Sequence, residues 1–232
     1  MFVELYSFLF LEKDIGGKKM QIDTFSLGPL GTNCYILSKE GKCLIVDPGG
    51  DAHIVKQHLE EQQLEPLAIL LTHAHFDHIG AVDELRNDLQ LDVYLHESEE
   101  EYLLDATVNR SVMFLGEDFK IETSAPDHFL IEGTLTIGPF TMECIHTPGH
   151  SPGSMSFIFA HDTCVVSGDV LFQQGIGRTD LPGGSMDVLA NSIVHKLYIL
   201  EDDVVVFPGH GSSTTIGDEK DTNPFTLQFY QR

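Results

Sequence analysis

The feature that most constrains this chain is a cluster of four candidate metal ligands at the end of one apolar segment. The stretch ILLTHAHFDHIGAVDELRNDL, residues 69–89, places His73, His75, Asp77 and His78 within six positions. The apolar run before them is typical of a strand buried on both faces, and helical spacing follows them. In a continued strand His78 would point away from the other three, because successive side chains alternate between faces. We therefore expect the chain to turn after His75, an arrangement that suits two adjacent metal ions better than one.

Three further candidate ligands follow other apolar runs. His150 lies in HTPGHSPGS, Asp169 in SGDVLF and His210 in PGHG, each just beyond a segment with strand character. A glycine beside each of them permits close approach of the backbone, and functional sites usually lie in loops at strand ends. Imidazole and carboxylate groups are the nitrogen and oxygen ligands that zinc takes in proteins. The pattern favours a metal site assembled from several segments of the chain.

The rest of the sequence mixes strands and helices. Runs of strand character occupy residues 21–27, 33–38, 43–46, 67–71, 91–95, 134–137, 141–145, 154–160, 163–167 and 204–207. Helical spacing is present over 52–63, 81–89 and 186–200, the last with Ser185 as candidate N-cap. This order predicts sheets packed between helices in a single domain over residues 20–232. Met20 opens a segment that reads like a fresh protein start, so residues 1–19 are interpreted either as an N-terminal extension or as the result of a misplaced start.

In their order and spacing, THAHFDH, HTPGHSPGS, SGDVLF and PGHG resemble the metallo-β-lactamase superfamily. GIGRTDLPGGS and TTIGDEKDTNPF look most like its glyoxalase II (hydroxyacylglutathione hydrolase) branch in the short bacterial form. The resemblance implies an α/β fold of αββα type, in which two mixed β-sheets are flanked by helices. It further implies a first metal ion on His73, His75 and His150, a second on Asp77, His78 and His210, and a bridging Asp169.

The resemblance also implies a function. The first expectation is a binuclear metallo-hydrolase that cleaves S-lactoylglutathione or a related small thioester by a metal-bound hydroxide. Its cofactors would be two divalent ions, zinc first and iron or manganese as alternatives, and its catalytic residues Asp77 and Asp169. The competing enzymes are a mono-iron persulfide dioxygenase, which shares the HxHxDH and GRTD signatures, and a lactonase or another broad metallo-hydrolase.

Other classes are disfavoured. The common di-zinc β-lactamase carries cysteine where Asp169 stands, and a diiron electron-transfer module would alter the ligand set. A formal net charge of −23 repels phosphate backbones, so we expect no nucleic-acid partner, and no RNA-processing nuclease. Long glyoxalase II proteins bind glutathione through a basic C-terminal domain, whereas Lys220 and Arg232 are the basic residues after His210 here. The thiol carrier therefore stays open, as does the oligomeric state.

The cysteines indicate a compartment. Cys34, Cys43, Cys144 and Cys164 lie in apolar stretches without a CxxC pair, so we expect buried free thiols. That pattern favours a reducing location, the cytoplasm. No apolar run reaches the length needed to span a membrane, so we expect no membrane partner.

Some polar residues have two interpretations. Asp47, which follows a strand, either orients a ligand histidine or forms an Asp-Pro turn. Arg178 and Asp180 either pair with each other, which we favour, or line the pocket. We interpret the acidic run at 97–101 as a solvated face.

Overall fold

The computed structural model of the protein describes residues 19–231. The predicted extension at residues 1–19 lies outside this range except for Lys19. Within the described range, no helix combines the length and apolar character that crossing a membrane requires.

The first sheet places two buried parallel strands at its centre. Its strands are β1 (Gln21–Leu27), β2 (Thr32–Lys39), β3 (Lys42–Val46), β4 (Glu65–Leu70), β5 (Asp92–His96) and β6 (His128–Leu130), paired in that order. The first three are antiparallel neighbours, whereas β3 to β6 run parallel. Parallel strands are covered on both faces, which matches the apolar sequences KCLIV and EPLAIL. The carboxyl ends of β3 and β4 therefore meet at one edge.

The second sheet repeats this arrangement at its own centre. It contains β7 (Gly133–Ile137), β8 (Phe140–His146), β9 (Met155–Phe159), β10 (Cys164–Gly168), β13 (Val205–Pro208) and β14 (Thr214–Thr215). Their order is β14-β13-β10-β9-β8-β7, and β10 and β13 are parallel. A short ribbon of β11 (Leu171–Phe172) and β12 (Gly175–Ile176) lies beside it. A 3-10 turn at Ala160–Asp162 joins the antiparallel strands β9 and β10.

Seven helices are present in the described range. They are α1 (Ala52–Gln62), α2 (Phe76–Ile79), α3 (Val82–Leu89), α4 (Glu100–Leu104), α5 (Ser111–Leu115), α6 (Met186–Ser192) and α7 (Ile216–Thr222). Ser185 caps α6 as predicted, accepting a hydrogen bond from the Val188 N–H at 3.4 Å. The predicted end of this helix at residue 200 is wrong. A π-helical turn over Ile193–Leu197 widens the last turn, and the Tyr198 N–H closes it on the Ile193 carbonyl at 2.8 Å.

Alternation along the strands builds three apolar layers. In β3, Leu44 and Val46 point between the sheets, whereas Cys43 and Ile45 point towards α1 and α3. The layer between the sheets also contains Tyr35, Leu37, Leu70, Phe140, Phe157 and Val166. On the far side, the second sheet packs against Leu189, Ile193, Leu197 and Ile216. The predicted αββα architecture is confirmed.

All four cysteines are free and buried, as the sequence predicts. Burial raises the pKa of Cys34 above its usual range and raises the pKa of Cys43, Cys144 and Cys164 to about 12. The reactive thiolate is therefore scarce at neutral pH. We expect the native protein to leave all four thiols unreacted with Ellman's reagent at pH 8, and the guanidinium-unfolded protein to react at all four. A thiol of the native protein that reacts within seconds would contradict this packing.

Candidate metal centre

The seven predicted ligands meet at the edge formed by the carboxyl ends of the central strands. His73 and His75 follow β4, and α2 begins at Phe76, so the turn predicted after His75 is confirmed. This helix carries Asp77 and His78. His150 comes from the loop after β8, Asp169 from the end of β10 and His210 from the end of β13. Parallel pairing within each sheet and packing of one sheet on the other bring these segments together.

The first cluster is the three-histidine group, His73, His75 and His150. The Nε2 atom of His150 lies 2.9 Å from His75 Nδ1 and 3.2 Å from His73 Nε2. Burial, reinforced by neighbouring imidazoles, lowers the pKa of His73 and His150 and brings the pKa of His75 to about 3. All three rings are therefore neutral at physiological pH, which is the form that binds a metal ion.

The second cluster is the aspartate-histidine group, Asp77, His78 and His210. Asp77 Oδ2 lies 3.1 Å from His210 Nε2 and 3.6 Å from His78 Nε2. It also accepts a hydrogen bond from the Thr32 hydroxyl at 2.7 Å. Burial alone would raise the pKa of Asp77, but His78, His210 and Thr32 outweigh it and lower the pKa. Burial alone would lower the pKa of His78. The surrounding carboxylates outweigh burial and raise this pKa well above its usual range.

Asp169 lies between the two groups. Its Oδ2 atom is 3.6 Å from both His150 Nε2 and His210 Nε2, and its Oδ1 atom is 3.5 Å from His78 Nε2. Burial would raise the pKa of this carboxyl group, but the histidines around it lower the pKa. One carboxylate thus reaches both clusters, the position that a bridging ligand requires.

The donor set fits metal ions. Of the four buried side-chain polar atoms that lack a hydrogen-bond partner within the described residues, three belong to this centre: His75 Nε2, His78 Nε2 and Asp169 Oδ1. Buried polar atoms in proteins are almost always paired, so several orphans in one place call for a missing partner. Potential ligand atoms also lie within 4.8 Å of one another in each of three sets: His73, His75, His150; His73, His78, Asp169; and Asp77, His78, His210.

Neighbouring acceptors fix the orientation of two ligand rings. The Nδ1 atom of His78 pairs with Asp47 Oδ2 at 3.0 Å, and that of His150 with the Arg178 carbonyl at 2.9 Å. Each bond directs the Nε2 atom towards the centre, which is how partners outside the ligand set tune metal sites. Asp47 also binds the Thr72 N–H and hydroxyl, and its backbone is left-handed with φ 49°. Of the two interpretations of Asp47, the structure supports the first, in which it orients a ligand histidine.

A pocket of about 340 Å³ opens onto the centre. Besides five of the ligands it is lined by Leu30, Phe76, Arg110, Phe114, Phe172, Ile176, Arg178 and Leu181. Arg178 forms two hydrogen bonds with Asp180, at 2.7 Å each, so the favoured interpretation of that pair is confirmed. Arg178 also lines the pocket, whereas Asp180 is not among the lining residues. The described lining contains no serine, threonine, cysteine or lysine. A hydroxyl, thiol or amine nucleophile for covalent catalysis is therefore missing from the described lining, and its aspartates and histidines are the candidate metal ligands.

Sequence reasoning missed two residues around the centre. Thr32 binds Asp77 across 45 residues of sequence. The interpretation of 97–101 as a solvated face is wrong for Glu99, which is fully buried. Its carboxylate accepts backbone hydrogen bonds from two ligand-bearing segments, and these bonds replace the water that it loses. No periodicity distinguishes Glu99 from its acidic neighbours. The seven other histidines lie outside the two groups.

Comparison with known proteins gives a consistent family. The family model described as the metallo-beta-lactamase superfamily matches residues 27–210. The hydroxyacylglutathione hydrolase GloC of Haemophilus influenzae is 38% identical, over 89% of this chain and 98% of that protein. The crystal structure of the B3 metallo-beta-lactamase BLEG-1 is 48% identical with a TM-score of 0.86, covering 89% and 99% of the two chains. The structure of TTHA1623 in a di-iron-bound form is 38% identical with a TM-score of 0.80, covering 88% and 99%.

Proposed function

The chain belongs to the metallo-beta-lactamase superfamily of metallo-hydrolases, and within it we propose that this protein is a thioesterase of the hydroxyacylglutathione hydrolase type. The observation that carries the proposal is the pairing of two ligand groups around Asp169 with a pocket whose described lining has no serine, threonine, cysteine or lysine. Such a site hydrolyses an acyl bond with an activated water rather than through a covalent acyl-enzyme. The likeness to GloC supports a thioester as the bond that is cleaved.

The proposed cofactors are two divalent metal ions. The three-histidine group would hold one, the aspartate-histidine group the other, and Asp169 would contact both. Two such ions lower the pKa of a bound water and polarise a carbonyl oxygen. Zinc suits imidazole and carboxylate ligands, and the di-iron form of TTHA1623 supports iron as the alternative.

The protein's own groups prepare the site. Asp47 and the Arg178 carbonyl hold two ligand rings in place, and the carboxylates of Asp77 and Asp169 offset cationic charge. The apolar walls formed by Phe76, Phe114, Phe172 and Ile176 limit the access of bulk water to the bond being cleaved. A thiolate is a good leaving group, so the reaction needs no strong general acid. The described lining offers no candidate for one beyond the ligand residues themselves.

The proposed substrate is a small thioester such as S-lactoylglutathione, with the thiol carrier left open. The pocket volume of about 340 Å³ is in the range of small-molecule sites. The net charge of −23 argues against a nucleic-acid substrate. We place the protein in the cytoplasm, because four free buried thiols are typical of a reducing compartment.

Two assays on one preparation test this function. We expect S-lactoylglutathione to release free thiol without oxygen, and the reaction to stop on chelation and return when metal is added. The protein's own buried thiols would not disturb a thiol-release assay. A mono-iron persulfide dioxygenase would instead consume oxygen with glutathione persulfide and form sulfite. Oxygen uptake together with no thiol release from small thioesters would overturn the proposal.

β-Lactam hydrolysis is a second candidate. The 48% identity with BLEG-1 favours it. Position 169 holds aspartate rather than cysteine, which argues only against the β-lactamases that carry a cysteine there. A chromogenic cephalosporin, measured beside the thioester at equal enzyme concentration, separates the two activities. We expect the thioester to have the higher kcat/KM.

A further inference from the structure

Glu99 is a fully buried carboxylate behind the metal centre. It ends the 3-10 turn at Glu97–Glu99, which follows β5, and none of its surface is exposed. Glu97 and Glu101 on either side of it are exposed. Burying a carboxylate is unfavourable unless hydrogen bonds compensate for the lost water. Its position therefore requires a set of specific donors.

Those donors come from the two segments that carry the three-histidine group. Glu99 Oε2 accepts the Ala74 N–H at 3.1 Å, and Ala74 lies between His73 and His75 in the chain. Glu99 Oε1 accepts the Gly153 N–H at 2.7 Å, three residues after His150. One side chain thus joins the loop after β4 to the loop after β8.

The fit around this carboxylate leaves little room. A Cβ atom placed on Gly153 would lie 2.6 Å from Glu99 Cγ and 3.2 Å from Oε1. Each oxygen has its own N–H donor, so both must be acceptors. A glutamine amide has nearly the same shape but only one acceptor, and its NH2 group would face an N–H.

We propose that Glu99 is a positioning residue, whose two oxygens hold the His73–His75 and His150–Gly153 segments in the relative position at which three imidazoles bind one metal ion. The inference rests on the proposed function only in taking the three-histidine group as a metal site. It predicts that Glu99 sets metal affinity at this group and has little influence on the aspartate-histidine group, to whose residues it makes no hydrogen bond within the described range.

The test is a Co²⁺ titration of chelator-treated protein against a competing chelator, followed by the visible spectrum of the bound ion. His150→Ala and His210→Ala identify the affinity and spectrum that belong to each group. We expect Glu99→Gln to weaken Co²⁺ binding at the three-histidine group by about 10- to 100-fold, the usual effect of losing a partner of a ligand. Binding at the other group should change less than about threefold, so that the variant resembles His150→Ala.

Two controls separate positioning from general stability. Glu219→Gln removes another fully buried carboxylate, one that binds the Gln174 N–H and the Thr214 hydroxyl away from the three histidines. It should lower the thermal midpoint without a selective loss of Co²⁺ affinity. Glu97→Gln makes the same change at an exposed site in the same turn and should alter neither. If Glu99→Gln does not fold, Gly153→Ala disturbs the same contact from the opposite side and should give the same selective loss.

Three outcomes would overturn the proposal: unchanged Co²⁺ affinity at the three-histidine group, an equal loss at both groups, or no loss of that affinity in His150→Ala. The measurement reads metal binding rather than turnover. A protein that shows the selective loss but hydrolyses no thioester would therefore refute the proposed function and leave the role of Glu99 intact.

Discussion

Replacing Asp169 with alanine should abolish thioester hydrolysis, with a fall in kcat/KM of about 10³-fold or more, because several kcal/mol of transition-state stabilisation depend on the bound metals. Asp169 reaches His150 in one ligand group and both His78 and His210 in the other, so its loss weakens both groups at once. Metal content measured by elemental analysis should fall well below two ions per chain.

His128→Ala is the control for this variant. His128 is exposed and pairs with Asp92 at the surface, 3.0 Å away, and it lies in neither ligand group. It should keep wild-type metal content and activity. Equal losses in the two variants would show that Asp169 has no special place between the groups.

Gly209→Ala should damage the centre from the backbone side. A Cβ atom at this position would lie 1.9 Å from Asp169 Oδ1 and 2.8 Å from His78 Cε1. Asp169 is buried and cannot swing out of the way, so the methyl group must displace the shared carboxylate. We expect a loss of activity of about 10²-fold or more and a cost in stability of about 1–3 kcal/mol, as overpacking usually gives.

The matched control is Gly175→Ala, where the nearest atom to an added Cβ would be Phe172 Cβ at 3.6 Å, an ordinary contact. Activity should stay within about twofold of wild type, since such a substitution touches nothing that must move. Thermal unfolding and metal analysis on both variants distinguish misfolding from loss of the site. A Gly209→Ala variant with full metal content and activity would contradict the placement of Asp169.

Strand ends could be predicted from the sequence where apolar runs are long. β3 and β4 are continuous apolar segments in the sequence. The ligands that follow such strands could be recognised because they have a glycine beside them or cluster with other ligands. The turn after His75 followed from side-chain alternation alone, because four ligands cannot converge from one straight strand. All seven predicted ligands are brought together in the structure.

Contacts across the fold could not be predicted in the same way. The bond from Thr32 to Asp77 depends on the position of β2 beside α2, which no local pattern contains. Glu99 looks like its acidic neighbours, and its burial results from where the loops after β4 and β8 meet. The helices α4, α5 and α7, each of seven residues or fewer, were missed because segments this short have too few residues to show a period. α4 and α5 lead into the pocket wall at Arg110 and Phe114, so part of the pocket lining was missed with them.

A metal titration with activity followed at each point tests the central claim most directly. Chelator-treated protein, kept free of oxygen, receives Zn²⁺ in steps while bound metal and thiol release from S-lactoylglutathione are measured together. The two ligand groups around Asp169 predict that binding saturates at two ions per chain and that thiol release reaches its maximum with the second. Saturation at one ion per chain, without thiol release at any point, would contradict the binuclear hydrolase.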